Sequence, residues 1–135
     1  MIRIKWVDPK DRPDEPKGVE GLVEGRTIVL FKGRVGSLTE EHERAHIILG
    51  HHGCGRISPQ KYVRDEIEAF LYTYRKLGKP RRLISDLRGI IVSLDEVWNI
   101  PFEEGINFVA GEFRRRRKVP LGWKRDLARI KEELS

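Results

Sequence analysis

The chain is 135 residues long, enough for one domain, or a small domain with an appendage, built on a real core, and it leaves no room within itself for a second large module. Its 27 Lys and Arg against 21 Asp and Glu give a net charge of +6, which permits an acidic partner without requiring one. A single cysteine, Cys54, excludes an internal disulfide; since no apolar run approaches the length of a signal segment or a membrane span, a cytoplasmic protein is expected.

Met1 to Val7 alternates Ile2, Ile4 and Trp6 with Arg3 and Lys5, the period of a half-buried strand. Asp8 to Gly18, with Pro9, Pro13 and Pro16 among charges, reads as an exposed loop. Val19 to Val23 and Arg26 to Phe31 are β-like runs separated by Glu24-Gly25, so a hairpin is predicted.

After Gly33 and Gly36, Ser37 and Glu40 have the form of a capping box, and a helix is predicted from about Leu38 to near Gly50. It contains His42-Glu43-x-x-His46. Residues four apart share a helix face, so His42 and His46 project together and could grip one Zn²⁺. Glu43, about 100° round from His42, could reach a water there and take its proton. The bland alternative is a solvated or hydrogen-bonded histidine pair. His51, His52 and Cys54 follow as possible soft ligands, although their spacing matches no recognised metal motif.

Ser58-Pro59 supplies an N-cap and a first-turn proline for a second helix ending at Leu77, ahead of Gly78 and Pro80. Its apolar stripe includes Tyr62, Val63, Ala69, Phe70 and Leu77, and 100° steps put Glu66 in the middle of it. A carboxylate there is costly without a charged partner, which a metal on the histidine pair would provide; a salt bridge with Arg44 is the alternative. Glu68 falls on the opposite face with Arg64 and Arg75, and is expected to pair with one of them.

Beyond Pro80 the chain reads as all-helical: Arg82 to Val92, a short helical turn from Ser93 with Glu96 as its capping partner, Pro101 to about Lys118, and Leu121 to Leu134. The run Arg114, Arg115, Arg116, Arg117, Lys118, joined by Lys124, Arg125 and Arg129, gathers positive charge late in the chain. Ile100-Pro101-Phe102-Glu103 has some likeness to the turn of a helix-turn-helix, so nucleic-acid binding through Arg114 to Lys118 is one expectation. A solvated helix end complementing its own dipole is the other. The 36% of charged residues, with few Asn, Gln, Met or Cys, suits a protein from a hot environment.

The hairpin carrying Arg26-Thr27-Ile28-Val29-Leu30, then His42-Glu43-x-x-His46 with Leu49-Gly50-His51, then Glu66-x-Glu68-Ala69, resembles the ImmA/IrrE family of zinc metallopeptidases over about residues 20 to 78. The resemblance implies His42, His46 and Glu66 as zinc ligands in a gluzincin-like order, Glu43 as general base, and a regulatory protein or repressor as substrate. Two departures stand out. Thr39-Glu40-Glu41 replaces a hydrophobic approach to the first histidine, and Phe70 stands where asparagine is usual.

The expected fold is therefore α+β and zincin-like: a short N-terminal antiparallel sheet, metal-site helices within residues 1–80, and a helical, basic region over 81–135. An extended substrate could run along the Thr27 to Phe31 strand if that strand is a sheet edge. Tyr62, Tyr72, Tyr74 and His51 are candidate oxyanion donors. The competing reading is a DNA- or protein-binding regulator with a structural or vestigial zinc site.

Overall fold

The computed structural model describes residues 1–15, 19–36, 39–51, 57–77 and 83–135. Among them lie three strands in one sheet and five α-helices, a mostly helical α+β chain. Packing divides it into two compact units, Met1–Ile57 and Ser58–Ser135. The reading from sequence grouped residues 1–80 as a zincin-like core and 81–135 as a helical, basic region.

In the first unit, β1 (Arg3–Val7), β2 (Gly21–Glu24) and β3 (Thr27–Phe31) form a sheet of order β1-β3-β2. The β2–β3 hairpin is antiparallel and turns at Gly25, whose φ of +64° suits a residue without Cβ. β1 pairs with β3 in parallel, Arg3 opposite Thr27 through Val7 opposite Phe31, so the sheet is mixed rather than antiparallel throughout. Flanked on both sides, β3 is the central strand. The expected docking of an extended substrate along Thr27 to Phe31 therefore has no free edge to use.

Alternation along β3 sends Ile28 and Leu30 to one face and Val29 and Phe31 to the other. On the first face they join Val23 and Ile47, with Ile2 and Val35 alongside; on the second, Val29 and Phe31 meet Val7, flanked by Val19 and Leu22. β1 departs from its predicted half-buried pattern. As an outer strand it leaves Ile4 and Trp6 exposed, and only Val7 is buried.

Helix α1 (Thr39–Ile48) lies against this sheet through Ile47. Its start is tied down by Glu20, whose carboxylate accepts from the Thr39 hydroxyl at 2.6 Å and the Gly36 N–H at 2.8 Å. A Cβ on Gly21 would stand 2.9 Å from the Val29 carbonyl oxygen and 3.1 Å from the Thr39 methyl, so glycine permits this close approach. The Ser37 cap predicted for α1 lies outside the described residues.

The second unit is helical: α2 (Pro59–Leu77), α3 (Leu83–Trp98), α4 (Phe102–Arg115) and α5 (Trp123–Leu134). α2 begins where predicted, the Ser58 hydroxyl accepting from the Lys61 N–H at 3.1 Å. α3 runs unbroken through Ser93, where a separate turn was predicted. Leu87, Ile90, Ile91 and Leu94 keep helical spacing across that point and are all buried, and this outweighs a local capping signal. Asn99, at φ +55°, then ends the helix. α3, α4 and α5 pack on one another, with Phe113 stacked on Trp123 at 5.1 Å between centroids. α4 stops at Arg115 and α5 starts at Trp123, each shorter than predicted.

Candidate metal centre

α1 buries an unusual set of side chains. Thr39, His42, Glu43 and His46 are all buried, at 7% exposure for His42 and Glu43 and 9% for His46, beside Ala45 and Ile47. At 100° per residue His42, His46 and Glu43 fall within one arc of about 100°, with Ile47 at its edge. Burying polar groups in such density costs stability unless each is satisfied, so this face has a purpose other than hydrophobic packing.

The two imidazoles meet as the i, i+4 spacing requires. Their Nε2 atoms face each other at 3.0 Å, the rings nearly perpendicular at 84°. Two nitrogens about 2.0–2.1 Å from one tetrahedral zinc stand roughly 3.3 Å apart, so the rings need to part by only a few tenths of an ångström to take an ion between them. The pair fits a metal.

A residue outside the expected ligand set supports the second histidine. Gly50, at φ +78°, reverses the chain at the helix end, so that its N–H bonds to the Ile47 carbonyl at 3.1 Å and the His51 N–H to the His46 carbonyl at 2.7 Å. This turn carries the His51 ring back to His46, Nδ1 to Nδ1 at 3.1 Å. His46 thus has one ring nitrogen towards His42 and the other towards His51. A partner on the second nitrogen is what fixes the orientation of ligating histidines. The signal was legible: glycine just past a helix predicts this reversal, and the residue after it returns to the third-last turn position.

Glu66 stands on α2, half-buried. The buried residues of that helix form two strips, Val63, Ile67, Leu71 and Tyr74 on one side and Asp65, Ala69 and Thr73 on the other, and 100° steps put Glu66 between them. Glu68 pairs across to Arg116 at 3.9 Å, and Arg44, the alternative partner weighed for Glu66, bonds to Glu40 at 3.2 Å. Two imidazole nitrogens and one carboxylate are a donor set suited to a metal ion; of the three expected ligands, α1 brings His42 and His46 together within its own unit, while Glu66 belongs to the other.

Of the candidate oxyanion donors, Tyr74 is buried and hydrogen-bonded to Asp86, and Tyr62 packs on Trp98 at 5.1 Å. Both have packing roles within the helical unit. His52 and Cys54 lie outside the described residues.

No protein-family profile matches the chain, and no solved structure matches it. Over 55 residues it is 47% identical to an argininosuccinate synthase of Symbiobacterium thermophilum, a stretch that covers 40% of this chain and 14% of that protein. So short a share of the synthase carries no activity across.

Proposed function

We propose that this protein is a zinc-dependent peptidase in which His42, His46 and Glu66 hold the ion and Glu43 is the general base, acting on a cytoplasmic protein such as a transcriptional regulator. One observation carries the reading: a helix that buries two histidines four residues apart, with facing Nε2 atoms 3.0 Å apart and a glutamate buried directly after the first. The backing of His46 by His51 adds support.

An ion bound there supplies Lewis acidity, which polarises a carbonyl and brings the pKa of water towards roughly 7. The chain's own residues do the rest. Glu43 accepts a proton from the attacking water as hydroxide adds to the carbonyl carbon, then delivers it to the departing amine as the C–N bond breaks, so one water is consumed per peptide bond. His51 would hold the His46 ring in register, its Nδ1 accepting a hydrogen bond from the His46 Nδ1–H in the tautomer that leaves His46 Nε2 free to bind an ion.

Metal content of purified wild type, Glu43→Gln and Glu66→Ala tests the assignment. Glu43→Gln is expected to retain the metal and lose about 10²–10⁴-fold in hydrolysis, as removal of a general base does. Glu66→Ala is expected to lose metal. Equal zinc in Glu66→Ala and wild type would remove Glu66 from the ligand set; unchanged hydrolysis in Glu43→Gln would end the peptidase reading.

A further inference from the structure

We propose that the junction of α4 and α5 is a binding surface for the phosphate backbone of a nucleic-acid duplex, with Arg114, Arg115, Arg117, Lys118, Lys124 and Arg125 as its contacts. All six are exposed, and no acid occurs in the sequence between Glu112 and Asp126. Elsewhere in the same unit several cations are neutralised: Lys61 by Asp65 at 2.5 Å, Arg88 by Glu133 at 2.6 Å, Arg129 by Glu133 at 3.4 Å. Among the described residues no carboxylate pairs with any of the six.

Arg116, the middle of the run, is the exception that anchors it. Its guanidinium lies 3.9 Å from both Glu112 and Glu68 and 3.5 Å from the Arg64 carbonyl. The backbone is thereby held to the helical unit at that point, with cations displayed on either side. A helix end complementing its own dipole accounts for Arg114 and Arg115, which sit in the last turn of α4. It cannot account for Lys124 and Arg125. They occupy the first turn of α5, the end where a positive charge is disfavoured, and the N-cap there, Gly122, makes no side-chain capping bond. Asp126 shares that turn without pairing with either, and Lys124 lies 5.6 Å from the centroid of the Trp123 ring, so these cations at the unfavourable end of a helix leave charge for an anion from outside.

A duplex fits better than the other polyanions. The aromatics nearest the cations, Trp123 and Phe113, are buried against each other, so no platform on which unpaired bases could stack stands among them. A lipid surface would want an apolar face to insert. That of α5, with Trp123, Leu127 and Ile130, is already buried, its outward face carries Lys124, Arg125, Ala128, Arg129 and Glu132, and Leu121, fully exposed in the junction, is a single side chain and not a face. Nothing in this surface reads base edges, so the contact is to phosphate and independent of sequence.

The test is fluorescence anisotropy of the 135-residue chain with a labelled mixed-sequence DNA duplex, titrated with salt. If six phosphates are neutralised, log affinity falls against log salt with a slope near −5, a loss on the order of 10³-fold between about 50 and about 200 mM. The variant Arg114→Gln/Arg115→Gln/Arg117→Gln/Lys118→Gln should halve that slope or more. Lys124→Gln/Arg125→Gln, in a folded helix, should lower it by about 2. A charge-matched control, Arg3→Gln/Lys5→Gln/Lys10→Gln/Lys32→Gln, should leave it unchanged. The proposal is overturned by no duplex binding at low salt, by an equal loss in the control, by tighter binding of a single strand of the same length, or by binding to phosphatidylserine vesicles without binding to the duplex.

Discussion

α1 and α5 are short helices of 10 and 12 residues that use their two faces in opposite ways. α5 buries Trp123, Leu127 and Ile130 and keeps its charges in water, the arrangement that gains most from removal of apolar surface. α1 buries Thr39, His42, Glu43 and His46 and leaves Ile48 about half exposed. Only Ala45 and Ile47 give it a buried apolar contact, and it is held also at its ends, by Glu20 at the start and by the reversal at Gly50. On the proposed function, the difference separates a helix that holds the fold together from one the fold holds in place for chemistry.

The sharpest test of that contrast is made on α5. Ile130, with no exposed surface, should cost about 2–5 kcal/mol when cut to alanine, whereas Lys124→Gln/Arg125→Gln on the outer face should stay within about 0.5 kcal/mol per site. Urea denaturation of both variants measures it. An Ile130→Ala cost as small as that of the surface pair would mean that α5 is not part of the core, and the comparison with α1 would lose its footing.

How far these roles could be read in advance depended on whether the deciding physics was local. Ser58-Pro59 fixed the start of α2 and Glu24-Gly25 the hairpin, because caps and turns are decided within a few residues. The pairing of β1 was illegible: its partner β3 lies twenty residues on, and alternation alone gives neither the direction of pairing nor which face is covered. Ser93 and Glu96 misled because a capping box and an ordinary helix interior can share residues, and only the continuing core spacing separates them. The histidine pair was legible as a spacing. The return of the His51 ring was not drawn from Gly50, although the local signal was there. Arg116 could have been singled out from its run by Glu112, four residues earlier on the same helix face, whereas Glu68 is distant in sequence.

If α1 is held for chemistry, the holding should be measurable apart from stability. His51→Ala is expected to weaken metal affinity by about 10–100-fold, as loss of a ligand's hydrogen-bonding partner does, with little change in the unfolding of the metal-free protein. Gly50→Ala should lose part of the same affinity and also about 1 kcal/mol of stability. An added Cβ there would meet nothing within 4 Å, so its cost is the left-handed backbone alone. Zinc competition titrations and thermal denaturation without metal separate the two quantities. Affinity unchanged in both variants would show that His51 merely caps the helix.

The smallest effect concerns the connection between β1 and β2, where Arg12 donates to Glu24 at 2.8 Å at the end of β2. This hydrogen bond, with the charges of Arg12 and Lys5 behind it, holds the Glu24 carboxyl below the usual carboxylate range against a smaller opposing effect of burial. Arg12 is correspondingly raised, but it stays charged throughout the accessible range, so only Glu24 links the pair to pH. A carboxyl lowered in the folded state stabilises fully above its unfolded value and loses that contribution as pH falls through the folded value. Glu24→Gln should therefore melt slightly below wild type near neutral pH, and the two should converge in acid. High salt should narrow the gap, since both side chains are partly exposed. A gap that stayed constant into acid would place the effect in the packing of β2 and exclude the ion pair as its source.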